Sequence, residues 1–309
     1  MKKVSYLANK QVSRLGFGAW PLGNTAHGKT MSIEEGVRLV RTALDLGVNF
    51  FDTAPNYALG RSEQIIGEAI KGRRSEVVIN TKFGHHSDGR IDFSVDQIIP
   101  SVEGSLSRLQ TDTIDSIILH NPSFDILQGK TSHFTVFESL KKARKIHGYG
   151  VSVDTVNELN AVLKQLDVDV IELLFNVFSQ APRHLFDAIE KKKIALIIKV
   201  PLDSGWLTGK YNVSSNFTDI RSRWTNEDKE RRHHLVEQFK KIVNDQTITP
   251  YAMAFLWSYP AITTVIPGIR TEAQLLEHVS YEKTKISSVL REEIELFYDR
   301  EIADKPLPW

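Results

Sequence analysis

Short apolar runs recur along this chain with amphipathic segments between them, and that alternation constrains the fold more than any other feature. The runs occupy residues 15–20, 49–54, 77–83, 114–120, 149–153, 170–176, 194–200 and 265–269. A strand that reads as continuously apolar is buried on both faces, which is the pattern of parallel strands covered by crossover helices. Eight such strands in 309 residues fit an α/β fold of one domain, a (β/α)8 TIM barrel. A short β-hairpin over residues 4–14 is expected ahead of it. The competing architecture is an open doubly wound sheet, which usually carries G-x-G-x-x-G after an early strand. Here Gly16-Phe17-Gly18 runs on into Ala19-Trp20-Pro21, so the barrel is favoured.

The intervening segments carry helix signals. Ser32 followed by Glu35 is a capping box, and Val37, Val40, Ala43, Leu44 and Leu46 give the next turns an apolar stripe. Gly47 then closes the helix as a residue free to turn left-handed. Further helices are expected over 62–70, 94–109 (Ser94 is followed by Gln97), 134–146 with a stop at Gly148, 155–166 and 182–192. The polar stretch 212–228, after the seventh strand, reads as a mobile loop on the side where barrel sites form. With the loops near 24–31 and 124–133, it is expected to set specificity.

The chain has a formal net charge of +1, so neither nucleic acid nor an anionic membrane is expected as a partner. Lys141-Lys142 and Lys191-Lys192-Lys193 stand at expected helix ends, where cations complement the dipole. Having no cysteine, the chain lacks disulfides, thiolate catalysis and cysteine metal sites. Residues 1–6 lack the apolar core of a signal peptide. No stretch is apolar for long enough to span a bilayer. A cytoplasmic location is the expectation.

Four polar residues stand in or just after successive apolar runs: Asp52, Tyr57, Lys82 and His120. In a parallel barrel those strand ends share one mouth. Each has an ordinary structural role open to it, as a turn cap, a packing ring, a solvated amine or a core hydrogen bonder. Together they suit proton transfer to a carbonyl oxygen. A tyrosine hydroxyl titrates near 10, and a neighbouring ammonium from Lys82 would lower that value. A buried lysine in turn needs a carboxylate, and Asp52 could supply it. His120 could orient the substrate oxygen. The quartet therefore points to a reductase.

Three segments then carry a family resemblance. They are Phe51-Asp52-Thr53-Ala54-Pro55-Asn56-Tyr57-Ala58-Leu59-Gly60-Arg61-Ser62-Glu63, Pro201-Leu202-Asp203-Ser204-Gly205-Trp206-Leu207-Thr208-Gly209-Lys210-Tyr211, and Ile266-Pro267-Gly268-Ile269-Arg270-Thr271-Glu272-Ala273-Gln274-Leu275. They occur in the order found in the aldo-keto reductases, which the chain resembles from about residue 15 to 278. The resemblance implies a barrel that binds NADPH or NADP+ in extended form. It implies Tyr57 as general acid, Lys82 and Asp52 as its tuning pair, and His120 as the group that orients a small-molecule carbonyl.

The resemblance also implies cofactor positions. Ser152 matches the serine at the nicotinamide carboxamide. The asparagine usual after it is Val153, the glutamine that shares the carboxamide falls at Glu172, and a stacking aromatic is replaced by Lys199. Lys199 and Glu172 would pair either with each other or with the cofactor. Pro201, Leu202, Ser204, Leu207 and Lys210 match the pyrophosphate loop. Pro267, Gly268, Arg270 and Gln274 lead to the adenosine 2′-phosphate, where a guanidinium favours NADPH. Glu277 and His278 match the adenine end. Gly18, Trp20 and Asp52 complete the set, Trp20 beside the substrate pocket.

His85-His86 fall close enough to the third strand to line that pocket. No carboxylate lies at metal-binding spacing there, and no metal is expected. His233-His234 read as solvated on a polar helix, and the tail 305–309 as too short for a long substrate loop. The leading reading is an NADP-dependent carbonyl reductase, reversible toward alcohol oxidation. A cofactor-binding regulatory subunit with little turnover is the alternative, and a metal-assisted barrel hydrolase a third.

Overall fold

The computed structural model describes residues 1–7, 10–26 and 29–308. Residues 8–9 of the expected hairpin, 27–28 of the loop after the first barrel strand, and Trp309 lie outside them. In chain order the strands are β1 (Lys3–Ser5), β2 (Gln11–Ser13), β3 (Phe17–Gly18), β4 (Thr25–Ala26), β5 (Lys29–Thr30), β6 (Phe50–Asp52), β7 (Val78–Phe83), β8 (Ile114–Leu119), β9 (Ile146–Val153), β10 (Val170–Leu174), β11 (Ala195–Lys199) and β12 (Ile262–Val265). The helices are α1 (Ile33–Asp45), α2 (Arg61–Ala69), α3 (Ile98–Leu109), α4 (Phe124–Leu127), α5 (His133–Lys142), α6 (Val156–Gln165), α7 (Phe186–Lys191), α8 (Asn226–Val243), α9 (Thr249–Trp257), α10 (Glu272–Ser280) and α11 (Ser288–Glu301).

Eight strands pair in parallel in the order β12-β11-β10-β9-β8-β7-β6-β3. Parallel bridges Leu15–Val265 and Gly18–Gly268 join the last strand to the first and close the sheet. The result is the (β/α)8 barrel that the apolar runs predict. The hairpin is present too, with Val4 paired to Val12. It plugs the N-terminal end: Tyr6 and Val12 pack with Phe50, Val78, Ile118, Val170, Ala195, Ile197 and Ile266.

The Ser32 capping box forms as expected, with the Ser32 side chain accepting from the Glu35 amide, and Gly47 takes φ 89°. Ser94 makes no side-chain cap; a 3-10 turn over Val95–Gln97 leads into α3 instead. The helix read as 134–146 ends at Lys142, and Gly148 lies inside β9, opposite Ser116, rather than stopping a helix. Its reason is close approach: a Cβ there would stand 2.3 Å from the Leu7 side chain. The eighth strand is Ile262–Val265, earlier than 265–269; beyond it the chain meets β3 through the isolated bridge Gly18–Gly268. The stretch 212–228 is anchored rather than wholly polar. Phe217 and Trp224 pack edge-to-face at 5.7 Å, and Trp224 lies 6.1 Å from Trp206. Thr225 and Asp228 then form the capping box that starts α8.

Gly150 gives the sharpest test of the packing. A Cβ at that position would fall 1.8 Å from the Val170 carbonyl oxygen, on the backbone of the neighbouring strand. Gly150→Ala is expected to cost about 2 kcal/mol or more, in the range of overpacked cores, as a lowered urea midpoint. An unchanged midpoint would show that β9 and β10 do not approach so closely.

Candidate active site

Side chains alternate along a strand, so the barrel interior can be followed from layer to layer. Phe50, Val78, Ile118, Val170 and Ile197 form the lower, apolar layer. One step further along the same faces come Asp52 on β6, Asn80 on β7 with Lys82 a step beyond it, His120 just beyond β8, Glu172 on β10 and Lys199 ending β11. Gly150 is followed on its face of β9 by Ser152. Dry interior thus gives way to a charged ring at the C-terminal mouth, where barrel sites form.

Lys82 is at the centre of this ring and is 1% exposed. Its Nζ donates to both Asp52 oxygens at 2.6 Å and to the Thr53 carbonyl at 3.1 Å. It also lies 3.3 Å from Glu172 Oε2. Tyr57 presents its ring to the same ammonium, 5.2 Å from Nζ to centroid. A strained turn holds Tyr57 there: Ala58, Leu59 and Gly60 take φ of 49°, 53° and 87°. His120 meets Tyr57 edge-on at 6.0 Å and stacks on His85 at 4.4 Å. The four residues of the quartet therefore converge on one cleft. Among the described residues, no cluster of His, Asp and Glu is arranged to hold a metal ion.

Burial and a surplus carboxylate set the electrostatics. Burial, then the charge of Glu172, pushes Asp52 up to about 7 against the pull of Lys82 and Asn80. Burial disfavours the Lys82 ammonium, yet Asp52 and Glu172 outweigh it and raise its pKa. Burial likewise opposes ionisation of Glu172, but Lys82 and Lys199 hold it below the usual range. Tyr57 departs from the sequence expectation. Lys82 does pull it down, but burial of the hydroxyl, helped by Asp52 and Glu172, raises it overall. His120 is held well below the ordinary imidazole value by burial, with Lys82, His85 and Lys199 adding to the effect.

Lys199 and Glu172 do not pair directly. Lys199 meets Asp154 at 2.7 Å and donates to Asn121 Oδ1 at 2.8 Å and Ser152 Oγ at 2.7 Å. Ser152 passes the contact on, donating to Glu172 Oε1 at 3.2 Å. Asn80, Asn121 and Asp154 were missed in the sequence. Asn80 had a signal, since it lies two residues before Lys82 and so on the same face; its amide donates to Asp52 at 2.7 Å. Asn121 and Asp154 lie in loops, where no periodicity marks direction.

The remaining sequence-predicted residues are spread around the rim. After β11, Val200, Asp203, Ser204 and Gly205 take positive φ, folding residues 201–210, with Pro201, Leu202, Leu207 and Lys210, into a tight loop. Arg232, buried on α8, donates to Asp203 Oδ2 at 3.0 Å and to the Pro308 carbonyl at 2.7 Å. The Arg270 guanidinium is engaged by the carbonyls of Pro21, Asn24 and Lys29, and Gln274 caps α10. Glu277 lies on that helix with His278, whose Nδ1 is buried without a partner. Gly18 and Gly268 close the barrel, as Pro267 does through its carbonyl. A Cβ on Gly18 would come within 2.8 Å of that oxygen. Trp20 is 51% exposed at the mouth.

Two predictions test the charged ring. Lys82→Met strands two buried carboxylates and should lower stability by about 3–5 kcal/mol in urea. Adding Glu172→Gln should restore part of the loss; no recovery would show that the two do not share one field. The second concerns pH. Between about 4 and 7, Asp52 holds a proton in the folded chain but not in the unfolded one. Stability from this group is therefore present at the acid end of that window and is lost as pH rises through it. Asp52→Asn should flatten that slope in urea titrations, and an unaltered slope would contradict it.

The "Aldo/keto reductase family" model matches residues 14–297. An aldo-keto reductase of Schizosaccharomyces pombe, yakc [NADP(+)], is 29% identical over 310 residues, covering 93% of this chain and 89% of its own. A probable voltage-gated potassium channel subunit beta of Oryza sativa is 28% identical over 300 residues, covering 87% of each. The holo form of the aldo-keto reductase AKR11C1 from Bacillus halodurans superposes with a TM-score of 0.81 at 26% identity, covering 96% of each chain. The barrel, its mouth and these matches together establish that the chain belongs to the aldo/keto reductase family of oxidoreductases.

Proposed function

We propose that the chain is an NADPH-dependent oxidoreductase that reduces an aldehyde or ketone to the alcohol, with the proton supplied by Tyr57. The observation that carries this reading is Lys82, held by Asp52 and facing the Tyr57 ring, with His120 beside that ring. Two polar atoms fit a cofactor lying across the mouth: His120 Nδ1 and His278 Nδ1 are buried with no hydrogen-bond partner. Ser152 and Lys199 would hold its nicotinamide end, Ser204 and Lys210 its pyrophosphate, and Arg270 a 2′-phosphate at the start of α10. Bound there, the cofactor supplies the hydride.

The protein groups divide the remaining work. Tyr57, with its raised pKa, is protonated at neutral pH and has a proton to give. The adjacent Lys82 ammonium stabilises the phenolate left behind. His120 stays neutral, so one ring nitrogen can donate to the carbonyl oxygen and aim it. The yakc [NADP(+)] relative supports the choice of nucleotide. A chain without cysteine suits a reducing, cytoplasmic setting.

Mixing the pure protein with NADPH and a panel of aromatic aldehydes should consume the reduced nicotinamide. Tight NADPH binding without turnover on any of them would count against the enzyme and for the regulatory subunit. Tyr57→Phe should lower kcat/KM by about 10² to 10⁴-fold, the contribution of general acid catalysis, while NADPH affinity holds. Retained turnover would remove Tyr57 as proton donor.

A further inference from the structure

Glu172 is the feature of this mouth that the proposed reaction does not require. Proton delivery needs Tyr57, Lys82 with one carboxylate, and His120. Glu172 adds a second carboxylate, 2% exposed, whose Oε1 accepts from Ser152 Oγ at 3.2 Å and whose Oε2 lies 3.3 Å from Lys82 with no hydrogen bond. The charges facing this point from each surrounding element can be counted. Above the value of about 7 to which Asp52 is pushed, Asp52 from β6 and Glu172 from β10 are both anionic, and Lys82 from β7 is cationic. Lys199 from β11 is matched by Asp154, which follows β9. Tyr57, His120 and His85 are neutral near pH 7. One negative charge is left over in a buried setting, where screening by water and salt is weakest.

A nicotinamide ring carries a unit positive charge when oxidised and none when reduced. Resting on the reading above, the ring must come close enough to the carbonyl held by Tyr57 and His120 to hand over hydride, and so falls within the field of this cluster. We propose that Glu172 is a specificity-determining residue that biases the site toward the oxidised, cationic form of the nicotinamide nucleotide. The bias belongs to binding. It favours alcohol oxidation when oxidised cofactor and alcohol are supplied, and in the reductive direction it slows release of the oxidised product. An amide in place of Glu172 brings this count to zero while leaving the closer Asp52–Lys82 pair intact.

Calorimetric titration of the wild-type protein and Glu172→Gln with NADP+ and with NADPH separates the possibilities. The runs belong near pH 8, above the value of about 7 to which Asp52 is pushed. The expected result is a loss in the variant of about tenfold or more in preference for NADP+ over NADPH, the scale of one partly screened buried charge. A ratio that moves by less than about twofold overturns the inference. A second measurement needs no variant. In the wild-type protein, the preference for NADP+ should rise from about pH 6 to about pH 8 as the proton shared near Asp52 and Glu172 is lost. The 2′-phosphate, common to both nucleotides, cancels from this ratio, and a flat ratio also overturns the inference. Nucleotides that bind with no such bias sink the role of Glu172 alone. If neither nucleotide binds, the oxidoreductase reading fails and takes this inference with it.

Discussion

A single buried ammonium organises the mouth of this barrel. Lys82 is buried away from bulk solvent, so its charge is sustained by Asp52, Glu172 and the Thr53 carbonyl. Those partners come from different strands, so the ammonium fixes the relative positions of β6, β7 and β10 at their C-terminal ends. Burying charge in a protein interior is costly unless partners are close and well aligned. The apolar layer beneath, from Phe50 to Ile197, keeps water out from below and makes that alignment matter. The plugged hairpin end and the charged open end are two consequences of one alternation along each strand.

Much of this was legible in the sequence, for definite reasons. Eight runs apolar on both faces announced parallel strands, and the Ser32–Glu35 box and Gly47 marked α1 at both ends. The quartet was legible because a polar residue in an apolar strand has few directions in which to point. Errors gathered where glycine was read as punctuation. Gly148 looked like a helix stop, yet it serves β9 by letting Leu7 approach. The closing strand was displaced because Gly268 bridges β3 from outside the regular ladder.

The site was harder to read where partners depend on loops or on a balance of opposing effects. That Lys199 meets Asp154 and Asn121 follows from two loop conformations that no period encodes. That Tyr57 is raised rather than lowered follows from burial exceeding a real attraction to Lys82. Residue types name the contributions, but only geometry ranks them. Arg270 makes the same point. A guanidinium suits phosphate, and here it also fastens the loop after β3 through three carbonyls.

The buried guanidinium of Arg232 has a wider consequence. It sits over the Trp224 ring, 4.5 Å from the centroid, with one hand on Asp203 and the other on the Pro308 carbonyl. The tight loop after β11 and the final residues of the chain are thereby riveted to a common post. The tail adds little to the barrel's apolar core, yet shortening it would leave a desolvated cation with one fewer acceptor. Asp203, in that loop, would then hold the cation without the tail's carbonyl. In this molecule the terminus works as a buttress for the rim.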